Sequence, residues 1–350
     1  MIKEAISALV SGQSLTMDEA SQVMTEIMEG QVTPAQFGAF VTALRLKGET
    51  VEEIAGLARI MRAKAIPVRA KGPVVDTCGT GGDGSATFNI STAAAFVVAG
   101  AGLKVAKHGN RAMSSQCGSA DVLEALGVKI ELTAAQVERC LEEVGIGFMF
   151  APAFHPAMKY AAAPRREIGI RTVFNILGPL TNPAGAQYQV IGVPSQEIGK
   201  KISLALRYLG VKHGLVVHGL NGIDEISIAG KSRIWELGES GEINSYYVSP
   251  LDFGYKKASL KTVKGGTPTE NAVMLRSVLA GERTHRRDAT LMNAAAAIVA
   301  GSGDKYRGGI GGVSALVECA RIAEEAIDSG RALAKLEQLI KLTRSFPQSI

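Results

Sequence analysis

A chain of 350 residues with 46% apolar and 20% charged residues is too apolar for intrinsic disorder, and its length predicts two domains or one large domain with an appended piece. The balance of 38 basic to 33 acidic residues leaves a net charge of +5, too mild and too dispersed for a nucleic-acid binder, and 5% aromatic residues leave little to stack on bases. The longest apolar run, 93–103, is too short to span a bilayer and contains Gly100 and Gly102, and the N-terminal residues lack a signal-peptide pattern. Cys78, Cys117, Cys140 and Cys319 form no C-x-x-C pair, which argues against structural zinc and a disulfide framework. A soluble cytoplasmic protein without nucleic-acid or membrane partners is the expectation.

The first 65 residues predict helices with strong start signals. Thr16 with Glu19, Thr33 with Gln36 and Thr50 with Glu53 each have capping-box spacing, and Pro34 sits at a first helical position, where its missing N–H costs nothing. Phe37, Phe40, Val41 and Leu44 share one helical face, as do Ile54, Leu57, Ala58 and Met61. Such a piece is too small to be stable alone and must pack on something else.

Residues 65–73, with two prolines, read as a connector. Short apolar strands then alternate with helices. Strands are predicted at 74–76, 103–106, 129–132, 146–150, 189–193 and 214–218, with helices at 91–101, 134–144 and 196–209. This alternation predicts a mostly parallel sheet covered by helices. Helices return at 270–281, 287–300 and 311–343. The stretch 155–185, rich in Pro, Asn and Gly, reads as an insertion returning to the helical piece. The expected organisation is a helical domain over 1–66, joined by about 155–185, and an α/β catalytic domain over 73–345.

Chemistry concentrates in a few loops. The first strand runs into a segment in which Gly79, Gly81 and Gly84 match G-x-G-x-x-G. A dinucleotide site would need an acidic residue about 20 positions on, and a P-loop would need Lys and Ser/Thr after Gly84; both are missing. What remains is a glycine-rich turn whose N–H groups suit an anion, although a plain tight turn has the same signature. Asn89 and Ser91 fit a helix cap or an anion or metal contact equally well. Lys107 to Ser119 follows the second strand with a cation, an imidazole, an amide and hydroxyls, at the strand end where open parallel sheets bind ligands. Asp224 and Glu225 follow the 214–218 strand; beside a phosphate site, adjacent carboxylates suit Mg²⁺. Arg165 and Arg166 can each clamp a planar carboxylate, and residue chemistry alone does not choose between them.

Taken in order, DTCGTGGDGSATFNIST, KHGNRAMSSQCGSADVLEALG, RREIGIRTVFNILGPLTNPA and the later Asp224–Glu225 pair resemble the anthranilate phosphoribosyltransferase family over nearly the whole chain. The resemblance implies a small all-helical N-terminal domain plus a larger α/β domain of nucleoside phosphorylase type, joined as a homodimer through the helical domain. It implies 5-phosphoribosyl 1-diphosphate and anthranilate as substrates, with Mg²⁺. The diphosphate sugar would be held by Gly79, Gly82, Asp83, Thr87, Asn89, Ile90, Ser91, Thr92, Lys107, His108, Gly109, Asn110, Arg111, Ala112, Met113, Ser114, Ser115 and Ser119. Anthranilate would meet Gly79, Asn110 and Arg165, the arginine being the one ten positions after His155, and His108 and Met113 would line the same passage. Ser91, Asp224 and Glu225 would hold the metal, and Lys107, Asp83 and Ser91 would act with it on the transition state. A pyrimidine nucleoside phosphorylase is the nearest rival; the KHGNR and NILGPLTNP segments favour the transferase. A non-catalytic nucleic-acid-binding relative would show an eroded glycine loop, and here the loop is intact.

Overall fold

The computed structural model describes residues 1–112, 116–303 and 312–347. Met113, Ser114 and Ser115, expected at the diphosphate sugar, lie outside the described residues. The N-terminal helices are α1 (Ile2–Val10), α2 (Met17–Met28), α3 (Pro34–Lys47) and α4 (Val51–Ala63). Thr16, Thr33 and Thr50 each close a complete capping box at the start of α2, α3 and α4, each worth about 1 kcal/mol. The predicted apolar faces are buried: Phe37, Phe40, Ile54 and Leu57 are all fully enclosed.

The rest forms a seven-stranded sheet in the order β3-β2-β1-β4-β5-β6-β7. The strands are β1 (Val75–Gly79), β2 (Val105–Gly109), β3 (Ile146–Phe150), β4 (Tyr188–Gly192), β5 (His213–Gly219), β6 (Ser232–Leu237) and β7 (Ile243–Val248). The first five are parallel, and β6 and β7 complete the sheet antiparallel. Strand order reverses between β1 and β4, where Gly79 pairs with Gly192. Ligands bind outside the carboxyl ends of strands at such a switch point. Helix α5 (Ile90–Gly100) is apolar on every face and buried along nearly its whole length, as a helix sandwiched in a core must be.

The core has two parts. One joins α5 and the helix His285–Gly301 to β1, β2, β3 and part of β5. The other runs from the N-terminal helices through Phe174, Leu177 and Leu180 to Ile191, Val216 and Trp235 on the sheet. The helix Lys159–Ile168 packs on α3 and α2. The helical piece therefore shares one apolar cluster with the sheet and with the 159–180 segment, as its small size requires.

Two sequence expectations need correction and one element was missed. Residues 129–132 are not a strand: Ile130 and Leu132 are buried, but Lys129 donates its N–H to Thr343 Oγ1, at 3.2 Å, and not to a neighbouring strand. The span 311–343 is not one helix. It breaks into Gly312–Asp328 and Arg331–Ser345, because Gly330 takes a left-handed turn at φ +76°. The β6–β7 hairpin was not anticipated.

Candidate active site

β1 and β2 each end on a glycine, Gly79 and Gly109, so the two chemistry-bearing loops leave the sheet side by side. The Asp224 segment lies across the switch point. An added Cβ at Gly79 would overlap the Asp224 carboxylate, and one at Gly192 would overlap the Asp224 carbonyl oxygen. Two glycines on adjacent strands thus clear the space for one acidic residue. Asp224 accepts the Gly81 N–H at 2.8 Å, and its own N–H reaches Asp83 Oδ2 at 3.3 Å. Asp83 also holds Ser85, accepting its N–H at 3.1 Å and its hydroxyl at 2.5 Å.

Helix α5 has no side-chain cap. Asn89 stands at its N-cap position but turns its carboxamide elsewhere, and the backbone of Ser91 is among the groups that favour the charged form of the Glu225 carboxylate, as the start of a helix does. The buried Lys107 ammonium donates to the Thr77 carbonyl oxygen and lies 3.4 Å from Ser91 Oγ. Burial lowers the Lys107 pKa, opposed first by the charge of Asp76 and then by those of Cys78 and Glu225. Asp76, fully buried, is raised by burial and steadied by Lys107 and by Asn182, which donates to it at 2.7 Å.

Withdrawal from water, followed by the charge of Asp83, pushes the Asp224 carboxyl up to about 7. Burial and then Asp224 hold Glu225 well above the ordinary carboxylate range. Carboxylates crowded to this degree favour a cation among them. Among the described residues no three His, Cys, Asp or Glu side chains converge closely enough to hold a metal by themselves. The donors available near Ser91, Asp224 and Glu225 are hard oxygens that need further oxygens from a ligand, which suits Mg²⁺ held jointly with phosphate.

His108 is buried against His155, while Ile90 and Thr92 are enclosed within the start of α5. Thr87 bridges Lys264. Ser119 donates to the Asn110 carbonyl oxygen at 3.3 Å, and Gly109 admits the Ser119 hydroxyl close to its Cα. Arg111 pairs with Asp121 at 3.2 Å and with Glu124, while Asp121 accepts the Ala112 N–H at 2.8 Å. Arg165 is half-buried, with its guanidinium 5.1 Å from the Phe174 ring centroid, and burial lowers its pKa. Arg166 is exposed. The structure thus separates two arginines that residue chemistry left equivalent.

Two family descriptions match the chain: "Glycosyl transferase family, helical bundle domain" over residues 3–65 and "Glycosyl transferase family, a/b domain" over residues 71–333. A protein of Dehalococcoides mccartyi named anthranilate phosphoribosyltransferase is 60% identical over 346 residues, covering 99% of each chain. The crystal structure of anthranilate phosphoribosyltransferase from Thermus thermophilus superposes with a TM-score of 0.89 at 44% identity, covering 97% of this chain and 99% of that one. The chain belongs to the anthranilate phosphoribosyltransferase family. The Saccharomyces cerevisiae anthranilate phosphoribosyltransferase in complex with PRPP and Mg is also similar, at 29% identity and a TM-score of 0.88, covering 99% of this chain and 98% of that one.

Three residues of this anthranilate phosphoribosyltransferase fold were missed by sequence reasoning. Asn271, almost fully buried, accepts the Gly266 N–H at 2.7 Å and donates to Asn89 Oδ1 at 2.9 Å; Asn89 in turn donates to the Cys117 carbonyl oxygen at 3.2 Å. A backbone N–H can only donate, so it fixes which way both carboxamides face. Asn182 ties β1 to β2 by donating to Asp76 and to the Ala106 carbonyl oxygen, at 2.7 and 2.8 Å. Arg171 donates to the carbonyl oxygens of Gly81 and Gly82. The sequence signal for Asn182 and Arg171 was their place in the RREIGIRTVFNILGPLTNPA segment; Asn271 had none.

Proposed function

We propose that this chain transfers the phosphoribosyl group from 5-phosphoribosyl 1-diphosphate to the amine of anthranilate, giving N-(5-phosphoribosyl)anthranilate and diphosphate, a step of tryptophan biosynthesis. The observation that carries this reading is the meeting of the glycine loop, the start of α5 and the Asp224–Glu225 pair at the β1/β4 switch point. Gly79, Gly82, Asp83, Thr87, 89–92, 107–115 and Ser119 are assigned to the diphosphate sugar. Gly79, Asn110 and Arg165 are assigned to anthranilate. The half-buried Arg165 guanidinium, stacked on Phe174 and with no ion pair among the described residues, is suited to a planar carboxylate.

In the reaction the C1–O bond breaks, its electron pair leaving with the diphosphate, and the amine lone pair forms the C1–N bond. The aromatic amine is neutral near pH 7 and needs no base before attack; its proton leaves afterwards to water or to diphosphate. The protein's work is to stabilise the leaving group, and each well-aimed donor contributes on the order of 3 kcal/mol in the transition state. Lys107 places its Nζ between the Thr77 carbonyl oxygen of β1 and the Ser91 hydroxyl. Ser91, Asp224 and Glu225 would hold Mg²⁺, which when bound neutralises charge gathering on the diphosphate.

The same reading takes 1–66 with about 155–185 as the helical domain and 73–345 as the catalytic domain. It makes the protein a homodimer through its helical domain, supported by Leu46 and Val10, 82% and 73% exposed on the packed pair α3 and α1. It places the reaction in the cytoplasm, since so highly charged a substrate does not cross a bilayer unaided; among the described residues no helix is long and apolar enough to cross a membrane. The test is to mix protein, Mg²⁺, phosphoribosyl diphosphate and anthranilate. Loss of anthranilate fluorescence that needs every component supports the reading; fluorescence that persists with all present refutes it.

A further inference from the structure

We propose that Arg171 is a positioning residue for the diphosphate end of the substrate, acting through the backbone of the glycine loop; this rests on the phosphoribosyl transfer proposed above. Its guanidinium donates from Nη1 to the Gly82 carbonyl oxygen at 2.5 Å and from Nη2 to the Gly81 carbonyl oxygen at 2.9 Å. In a trans peptide the N–H points opposite to the C=O, and the chain has no cis bonds among the described residues. Drawing these two carbonyls toward Arg171 therefore turns the N–H groups of Gly82 and Asp83 the other way. Neither N–H meets a protein acceptor among the described residues, whereas the Gly81 N–H is already given to Asp224. Two successive free amides facing one side are the donor pair that an anion such as a phosphate fills.

Two further observations fit the same role. Gly81 and Gly82 lie at φ +67° and +69°, where a side chain is disfavoured, and an added Cβ at Gly82 would overlap Arg171 Nη1. Arg171 has no carboxylate partner among the described residues, so its charge stays next to the loop. A planar fork can hold two neighbouring carbonyls at once; an ammonium on a flexible stem cannot hold both in one geometry. Arg171 also lies only six positions after Arg165, so one segment would position both substrates.

The experiment is steady-state kinetics on the full chain with Arg171→Ala, Arg171→Lys and Arg171→Gln, each first checked by thermal melting. The KM for phosphoribosyl diphosphate should rise about ten- to hundredfold in Arg171→Ala, the loss of charge-assisted hydrogen bonds. The KM for anthranilate should stay within about twofold, and Arg171→Lys should resemble Arg171→Ala. Guanidinium added to Arg171→Ala should recover part of the lost affinity, a rescue that general destabilisation would not show. An unchanged KM for phosphoribosyl diphosphate in folded variants overturns the inference, as does a larger rise for anthranilate. If wild-type protein consumes no anthranilate, the functional reading falls instead. Calorimetry with inorganic diphosphate and Mg²⁺ then still decides the point, equal affinities of wild type and Arg171→Ala being the overturning result.

Discussion

The imidazoles of His108 and His155 face each other with ring centroids 5.0 Å apart and planes tilted by 49°, and the Nε2 of each is buried without a partner. Burial, and then the charge of His155, lowers His108 to about 3, and burial lowers His155 to about 4. The unfolded chain takes up protons near pH 6.5 and the folded chain does not. The stability this pair contributes is therefore complete above about pH 6.5 and is lost as pH falls through about 4 for His155 and about 3 for His108, by up to about 1.4 kcal/mol per pH unit for each ring. Denaturant unfolding from pH 4.5 to 7.5 should show a steeper fall in wild type than in His155→Asn. Equal slopes would mean that the rings are not held neutral.

Arg165→Ala should raise the KM for anthranilate far more than it lowers kcat, because a carboxylate clamp contributes equally to ground and transition states. Arg166→Ala, at an exposed position, should change neither. Initial rates at varied anthranilate separate the two; a loss in kcat alone for Arg165→Ala would rule out a positioning role.

Replacing both Asp224 and Glu225 by Ala should reduce turnover about a hundredfold or more at ordinary Mg²⁺. Full turnover in that double variant would remove the metal assignment. Mg²⁺ titration in the presence of inorganic diphosphate, followed by calorimetry, gives a readout independent of catalysis and should show binding weakened or abolished.

Asn271→Leu should destabilise the fold by about 1–3 kcal/mol, since it strands the Gly266 N–H and leaves the Asn89 carboxamide oxygen only the weak Cys117 thiol as donor. Asn271→Asp keeps an acceptor for Gly266 but cannot donate to Asn89. It should melt closer to wild type yet show a raised KM for phosphoribosyl diphosphate. Melting curves and kinetics on both variants check this; an unchanged KM in Asn271→Asp would mean that Asn89 does not depend on the relay.

Leu46→Glu combined with Val10→Glu should convert a dimer to monomers, because burying two carboxylates at an apolar contact is costly. Light scattering on wild type and variant measures it directly. An unchanged mass for a wild-type dimer would move the interface elsewhere.

How much of this was legible in the sequence depends on how local each signal is. The capping boxes of Thr16, Thr33 and Thr50 lie within four residues of chain and read correctly. The loops after β1 and β2 were found because a short apolar run followed by glycines has few other meanings. Ile130 and Leu132 misled because alternation reports burial, whereas a strand needs a neighbouring ladder. The β6–β7 hairpin escaped because Asn244, Ser245 and Tyr247 expose much of its outer strand, leaving a weak apolar signal. Asn271, Asn182 and Arg171 act on residues 182, 106 and 89 positions away, and no short window of sequence carries that information.

The apolar cluster shared by α1–α4, Phe174, Leu177, Ile191 and Trp235 has a consequence for how such a chain can be cut or recombined. Severing it at the 65–73 connector would leave both fragments with a raw greasy wall, prone to clump. Crossover between relatives should therefore succeed only when the first helices travel together with residues 159–180, so that the inheritable unit is a discontinuous patchwork, not a stretch of gene.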